Sequence, residues 1–464
     1  MSENGRITIT WVGGGSFNWG PLLLRDIILT EGLQEARLRL LDIDRQAAEE
    51  MTALGRKLTK EWGVGVTCTP MTDQREALEG ADFVLITINT GGVEATAKDI
   101  RIPEAFGVYA TVGDTVGPGG WARALRNFPV FRQLGEDIAE LAPAATVLNY
   151  SNPMSILTKV LSLEVGERVV GLCHGVYENF AVLQALFGLK DVKELTVNYG
   201  GLNHFFWVYD FTVRGEPGYE ALQQRLGRKS LADAVRAAHR PDLGFNREKL
   251  LTGQLYETYH YLPYMGDRHI CEFLPGYVNG PVAKAGRTRI GLAGTRAMDR
   301  YRLERTPSLA RKVSRQRAHR RLLRFISGKD ELPRRRSRET AADIMAACAL
   351  GHEFIDVMNV PNRGQIPNLP LEAVVETPGV INSLGFTPLA VGPLPEGVLD
   401  LVLPHAVNQD RIVEACYTGE LEEALESLSH DPTCSHLTLA QVKELGKKLV
   451  AANRPYLTQF FSGT

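Results

Sequence analysis

Short β-branched apolar runs alternate along the chain with segments whose apolar residues recur every three or four positions, a pattern that predicts strands and helices in turn. Ile7-Thr8-Ile9-Thr10-Trp11-Val12 is apolar enough for a buried strand and stops at Gly13-Gly14-Gly15, after which Leu22, Leu23, Leu24, Ile27 and Ile28 fall at helical spacing. A second strand, Arg37 to Leu41, ends at Asp42-Ile43-Asp44. A third, Phe83 to Ile88, ends at Asn89-Thr90-Gly91-Gly92, and a fourth, Thr146 to Leu148, at Asn149-Tyr150-Ser151-Asn152-Pro153. Beyond a further helix, the short strand Arg168 to Leu172 delivers Cys173 just past its end. The expected fold is α/β: a parallel, Rossmann-type sheet whose strand ends gather ligand-binding residues at one edge, with a mixed α+β second lobe. Leu421, Ala424, Leu425 and Leu428 repeat at helical spacing, so Glu420 to Phe461 reads as amphipathic helices used for core packing or subunit contact.

The first turn carries the first chemical signal. Gly13 and Gly15 suit a tight turn against a pyrophosphate, with Ser16 and Phe17 completing it, while Asn18 stands where a third glycine is usual. Asp42, at the tip of the second strand, is the candidate acceptor for ribose hydroxyls, and Asp44 is the next candidate. An acidic tip favours NAD over NADP, although Arg45 lies close by in sequence.

The 464 residues exceed what one core serves, which implies two lobes; the boundary is placed at residue 200, giving a nucleotide lobe (1–200) and a substrate, metal and oligomerisation lobe (201–464). A net charge of −2 gives no pull toward nucleic acid or an anionic membrane, and neither is expected as a partner. The arginine-dense stretch Arg302 to Arg338 is read as a solvated helix and loop balanced by acidic segments elsewhere. Six cysteines without disulfide-like spacing, no apolar run of membrane-spanning length and no signal-like segment at Met1 to Arg6 together predict a cytoplasmic protein.

Cys173 and His204 could share a metal ion that leaves positions open for substrate and water. On the residues alone, a buried free cysteine beside a hydrogen-bonded core histidine is the simpler account.

Several ordered motifs change that balance. Asp114-Thr115-Val116-Gly117-Pro118-Gly119-Gly120, Asn149 to Pro153, Gly171-Leu172-Cys173-His174-Gly175-Val176, Gly201-Leu202-Asn203-His204 and Asn359-Val360-Pro361-Asn362-Arg363-Gly364 together resemble glycoside hydrolase family 4. The resemblance implies a lactate/malate-dehydrogenase-like nucleotide lobe, catalytic NAD, a divalent ion such as Mn2+, a small carbohydrate substrate and a homodimer or homotetramer. It further implies hydrolysis by transient oxidation at C3, loss of the C2 proton, elimination of the glycosidic oxygen, addition of water and re-reduction. By that resemblance Cys173 and His204 match metal ligands, His174 a proton donor to the leaving oxygen, and Asn152 and Asn203 sugar-binding positions. The base is a tyrosine, and motif alignment selects Tyr259, leaving Tyr256, Tyr261 and Tyr264 as packing aromatics. Thr96 stands where relatives acting on 6-phosphosugars carry an arginine, with Lys98 nearby, so an α-linked galacturonide or glucuronide is the first expectation and a neutral α-glucoside or α-galactoside the second. An NAD-dependent hydroxy-acid or sugar dehydrogenase and a non-catalytic nucleotide-binding regulator are the competing classes.

Overall fold

The computed structural model describes residues 5–280 and 294–461; Met1 to Asn4, part of the segment tested for a signal sequence, lie outside them. Six parallel strands, β1 (Thr8–Val12), β2 (Arg37–Leu41), β3 (Thr67–Met71), β4 (Phe83–Ile86), β5 (Thr146–Asn149) and β6 (Val169–Gly171), stand in the order 3-2-1-4-5-6. This is the doubly wound order, with its switch point between β1 and β4. Helices cover both faces, which is why β1 and β4 are buried along their whole length rather than on alternate residues. One strand escaped the sequence pattern: Thr67-Cys68-Thr69-Pro70-Met71 is mostly polar and contains a proline, both tolerated because β3 is an edge strand pairing only with β2. The runs expected as third and fourth strands are therefore β4 and β5.

The sheet continues without a break into β7 (Leu195–Leu202), β8 (Phe205–Val213), β9 (Glu216–Pro217), β10 (Leu262–Pro263), β11 (Phe354–Pro361), β12 (Val374–Asn382) and β13 (Gly385–Pro388). Beyond β6 the order runs β11-β12-β7-β8-β10, all antiparallel, so the described strands form one 13-stranded sheet. One cross-strand row aligns Asn149, Gly171, Asn359, Glu376 and Gly201, carrying polar side chains from the parallel half toward the antiparallel half.

The boundary expected at residue 200 falls inside β7, the first antiparallel strand along the chain, and packing ignores it. Ile412, Leu425 and Leu445, from the helices Glu396–Thr418, Leu421–Ser429 and Leu439–Asn453, share a core with Phe128 and Leu134 of the helix Gly117–Leu141. On the opposite face Ile344 and Met345 pack with Leu24 and Ile27. The C-terminal half thus returns to clasp the nucleotide lobe, because each face of a parallel sheet needs an apolar cover that the N-terminal helices only partly supply. Among the described residues no helix is long and apolar enough to cross a membrane.

Candidate active site

The glycine turn after β1 is held by steric necessity. Gly13 has φ +83°, and a Cβ there would lie 2.7 Å from the Thr87 carbonyl oxygen. A Cβ on Gly15 would lie 2.6 Å from the Ala47 Cβ and 2.8 Å from Asp42 Oδ2. The third glycine's role, close helix packing, belongs to Gly20, where a Cβ would meet the end of Met51 at 2.1 Å; Asn18 is simply exposed. Asp42 Oδ2 accepts the Gly15 N–H and Oδ1 accepts the Asp44 N–H, each at 3.0 Å. Each oxygen keeps a second lone pair for a hydroxyl donor, and burial pushes the carboxyl's pKa upward. Asp44 is committed to capping the helix Arg45–Trp62 through the Ala47 N–H at 3.1 Å, and Arg45 pairs with Glu49 at 2.8 Å. Asp44, the alternative to Asp42, is thereby engaged through Oδ1, and Arg45, the cation that bore on NADP, is paired with Glu49.

The arginine-rich segment forms the helix Ser308–Ile326, largely exposed as expected, and it lies along this edge with its charges met by acidic residues of the first lobe. His319 Nε2 meets Glu50 Oε2 at 2.7 Å, Lys312 meets Glu94 at 3.2 Å, and the His319 ring stacks on Phe17 with centroids 4.3 Å apart. Ser16 stays within the turn, its Oγ accepting the Trp19 N–H at 3.4 Å.

Past the switch point, β6 and the β7–β8 hairpin bring the candidate metal ligands together. Asn203 and His204 form the two-residue hairpin turn, and His204 takes φ 64°, a strained conformation for a non-glycine residue that persists where surrounding structure enforces it. Its Nε2 lies 3.3 Å from Cys173 Sγ and its Nδ1 lies 3.0 Å from Thr115 Oγ1. Two ligands on one ion, with metal–sulfur and metal–nitrogen bonds near 2.3 and 2.1 Å, stand about 3.1–3.6 Å apart, so the pair fits a shared cation. Asp114 and His269 adjoin it: potential ligand atoms of Asp114, His204 and His269 all lie within 4.8 Å of one another. Burial, reinforced by His269, lowers the His204 pKa well below its usual value, leaving the neutral imidazole a ligand requires. Burial alone would raise the Asp114 carboxyl, but Arg123 and His269 beside it hold it at about 2. Burial pushes the Cys173 thiol up to about 12. A divalent ion displaces such a proton.

Behind the pair, the sheet's polar row provides bracing. Asn203 is fully buried; its amide donates to Glu376 Oε2 at 2.9 Å and also reaches the Cys173 sulfur. Asn359 donates to the same Glu376 oxygen at 2.9 Å, while burial pushes the Glu376 carboxyl up to about 7. The Asn203 amide nitrogen is thereby committed, while its Oδ1 is buried with no hydrogen-bond partner. Asn152 remains available: its Oδ1 is buried with no hydrogen-bond partner, while its backbone carbonyl accepts Arg123 Nε at 2.8 Å.

A cavity of about 520 Å3 opens beside these groups, walled by His174, Tyr264, Arg268, His269, Arg338 and Glu339. His174 is half exposed, with Nδ1 3.1 Å from Glu339 Oε1, and that carboxylate is the main cause raising its pKa. Tyr259 is not in this wall. The helix Leu250–Tyr259 ends there, and its ring packs edge-on to Trp207 with centroids 5.5 Å apart. His260 then turns the chain at φ 63°, β10 pairs with β8, and the Tyr264 N–H bonds the Phe206 carbonyl at 2.9 Å. Phe206 and Trp207 are consecutive and point to opposite faces of β8, so Tyr264, packed with Phe206, and Tyr259, packed with Trp207, stand on opposite sides of the sheet. Tyr264 lies nearly parallel to the His204 ring, at 5.8 Å between centroids, and against Gly175, where a Cβ would touch both its ring and Cys173 Sγ. Thr96 is buried and donates to the Gly92 carbonyl, and Lys98 reaches the Ala452 carbonyl, so neither faces the cavity.

Of the groups gathered here, the sequence gives His269, Asp114 and Glu339 no role and reads Tyr264 as a packing aromatic. Asp114 sat inside a quoted motif without a role, whereas Glu339 is contributed by the chain end of the arginine-rich stretch and gave no local signal.

The geometry agrees with comparisons to known proteins. The chain is 31% identical to an α-galacturonidase of Bacillus subtilis (strain 168) over 456 residues, covering 93% of this chain and 94% of the relative. A solved Bacillus subtilis structure assigned as a glucosidase superposes with a TM-score of 0.80 at 29% identity, covering 96% and 99% of the two chains. A 6-phospho-α-glucosidase from gut microorganisms, solved with NAD and Mn2+, shares the fold with a TM-score of 0.76 at 21% identity and 97% and 99% coverage. The family 4 glycosyl hydrolase pattern matches residues 8–189 and its C-terminal domain residues 199–434, so the nucleotide-type sheet and the thiol–imidazole pair at its edge are parts of one enzyme architecture, and the chain belongs to the family 4 glycosyl hydrolases.

Proposed function

We propose that this glycosidase removes an α-linked uronic acid, galacturonate first, from the nonreducing end of a small carbohydrate, using NAD and a divalent ion, most simply Mn2+. The observation that carries this is the 3.3 Å Cys173–His204 pair placed between the edge of a dinucleotide-type sheet and a sugar-sized cavity. The relative named α-galacturonidase supports the sugar. So do Arg268 and Arg338 in the cavity wall, whose guanidiniums donate to backbone carbonyls and a hydroxyl and form no ion pair with a carboxylate of the described residues. A uronate carboxylate is a fitting partner for such a cation.

Bound NAD would supply reversible oxidation at C3, and the ion, held by Cys173 and His204 with Asp114 and His269 adjacent, would polarise the C2 and C3 oxygens. Tyr264, not Tyr259, takes the C2 proton, because its ring lies beside both ligands. His174 delivers a proton to the glycosidic oxygen from the cavity rim, and Glu339 orients that imidazole. Asn152 offers its unpartnered amide oxygen to a sugar hydroxyl. Asp42 receives the ribose hydroxyls.

Incubation with NAD, Mn2+, a thiol reductant and a panel of aryl α-glycosides tests the proposal. Release of aglycone from the galacturonide without net NADH is the expected result; stoichiometric NADH formation without aglycone would instead mark a dehydrogenase. Asp42→Ala is expected to weaken NAD by about 1.5–3 kcal/mol, the loss of a charge-assisted hydrogen bond, as read by calorimetric titration. Glu339→Gln is expected to slow hydrolysis of alkyl glycosides about tenfold or more while changing nitrophenyl glycosides little, since a good leaving group needs less protonation. Equal slowing of both would remove His174 from the role of acid.

A further inference from the structure

The helix Ser308–Ile326 crosses the nucleotide edge and bridges the helices that follow β2 and β4, through His319 to Glu50 and Lys312 to Glu94. Arg315 lies midway between those anchors. Its guanidinium carbon sits 5.6 Å above the ring of Phe17, the second residue after the last glycine of the β1 turn. Its Nη1 lies 3.9 Å from the point where Gly92 would carry a Cβ, at the start of the helix Gly92–Glu104 that follows β4. It is also close enough to Asp42 to stabilise that carboxylate's charge. Arg315 therefore overlooks the crevice between β1 and β4, the switch point where the phosphates of a dinucleotide lie in this topology.

The side chain is exposed and forms no ion pair among the described residues. The cation–π contact with Phe17 leaves the guanidinium donors free, and Phe17 is itself held from the same helix by His319. The N–H groups of Gly13, Gly14, Gly15 and Ser16 are taken by the Leu41 carbonyl, Asp42 Oδ2 and the Gly13 carbonyl, so Arg315 supplies the charged donor that faces this crevice.

We propose that Arg315 clamps the pyrophosphate of the dinucleotide, and that the arginine-rich helix is a roof of the cofactor site. The proposal rests on the NAD dependence of the function proposed above. A planar fork facing a diphosphate makes paired, charge-assisted hydrogen bonds that a lysine at the same place only partly replaces.

Equilibrium titrations of the intact protein with NAD, ADP-ribose and adenosine test it, without turnover, for wild type, Arg315→Gln and Arg315→Lys. Arg315→Gln is expected to weaken NAD and ADP-ribose alike by about ten- to hundredfold and to leave adenosine unchanged, with Arg315→Lys intermediate. Unaltered NAD affinity in Arg315→Gln would overturn the clamp. Equal weakening of adenosine would also overturn it, by placing the effect at Asp42 and the ribose. Failure of the wild-type protein to bind NAD would instead sink the underlying functional proposal. Thermal unfolding of each variant separates a lost contact from a lost fold, and if Arg315→Gln does not fold, Arg315→Lys carries the comparison.

Discussion

Cys173→Ser is expected to reduce Mn2+-dependent hydrolysis by more than about a hundredfold while leaving NAD affinity within about twofold of wild type. Changes to groups that merely support a ligand cost ten- to a hundredfold in metal affinity or activity, so loss of the ligand atom itself should exceed that range. A serine hydroxyl cannot replace the thiolate, since its pKa is far higher and its oxygen is a harder donor. The nucleotide turn lies on the other side of the switch point and does not touch Cys173, which is why the two effects should separate. Mn2+ titration followed by turnover, alongside NAD calorimetry, reads both. Near wild-type turnover with Mn2+ in Cys173→Ser would mean that the thiol is not a ligand.

Product released in deuterium oxide is expected to carry deuterium at C2, because elimination removes that proton in each turnover and solvent returns it, whereas displacement at the anomeric carbon leaves C2 untouched. Tyr264→Phe should slow exchange and hydrolysis together by about a hundredfold or more, the contribution of a positioned base. Tyr259→Phe should change both by less than about threefold, since that ring packs on Trp207 across the sheet. The opposite ranking would restore Tyr259 as the base. Hydrolysis without C2 deuterium, together with no isotope effect for C2- or C3-deuterated substrate, would remove the elimination route altogether.

The two tyrosines illustrate what a linear motif leaves open. Both stand in one aromatic segment five residues apart, and the motif alignment that selects Tyr259 carries no information on the direction in which either ring points. Direction came from β10: its two residues pair with β8, and the alternation of Phe206 and Trp207 then assigns one tyrosine to each face. Likewise the motif around Asn203 gives no direction for its side chain, and the hairpin turns the amide nitrogen inward to Glu376, 173 residues away in sequence. The arginine-rich stretch is solvated and balanced by acidic groups as its sequence suggests, but charge density alone carries no address: its partners, Glu50 and Glu94, belong to helices of the first lobe.

By itself the sequence determined the features set by local sterics and periodicity: the glycine turn after β1, the strand-helix alternation of the nucleotide lobe, Asp42 at a strand tip, and Cys173 and His204 at the ends of short strands. These are readable because apolar period, glycine conformational freedom and the position of a polar residue at a strand end are properties of a few neighbouring residues. Tertiary structure alone decided that the sheet runs unbroken into the second lobe, that the C-terminal helices return to the first, that Tyr264 rather than Tyr259 adjoins the thiol–imidazole pair, and that Glu339 meets His174. Each of those joins residues far apart along the chain through packing and pairing across the sheet, and the free energy that selects such contacts is set by burial of the whole core rather than by any local window.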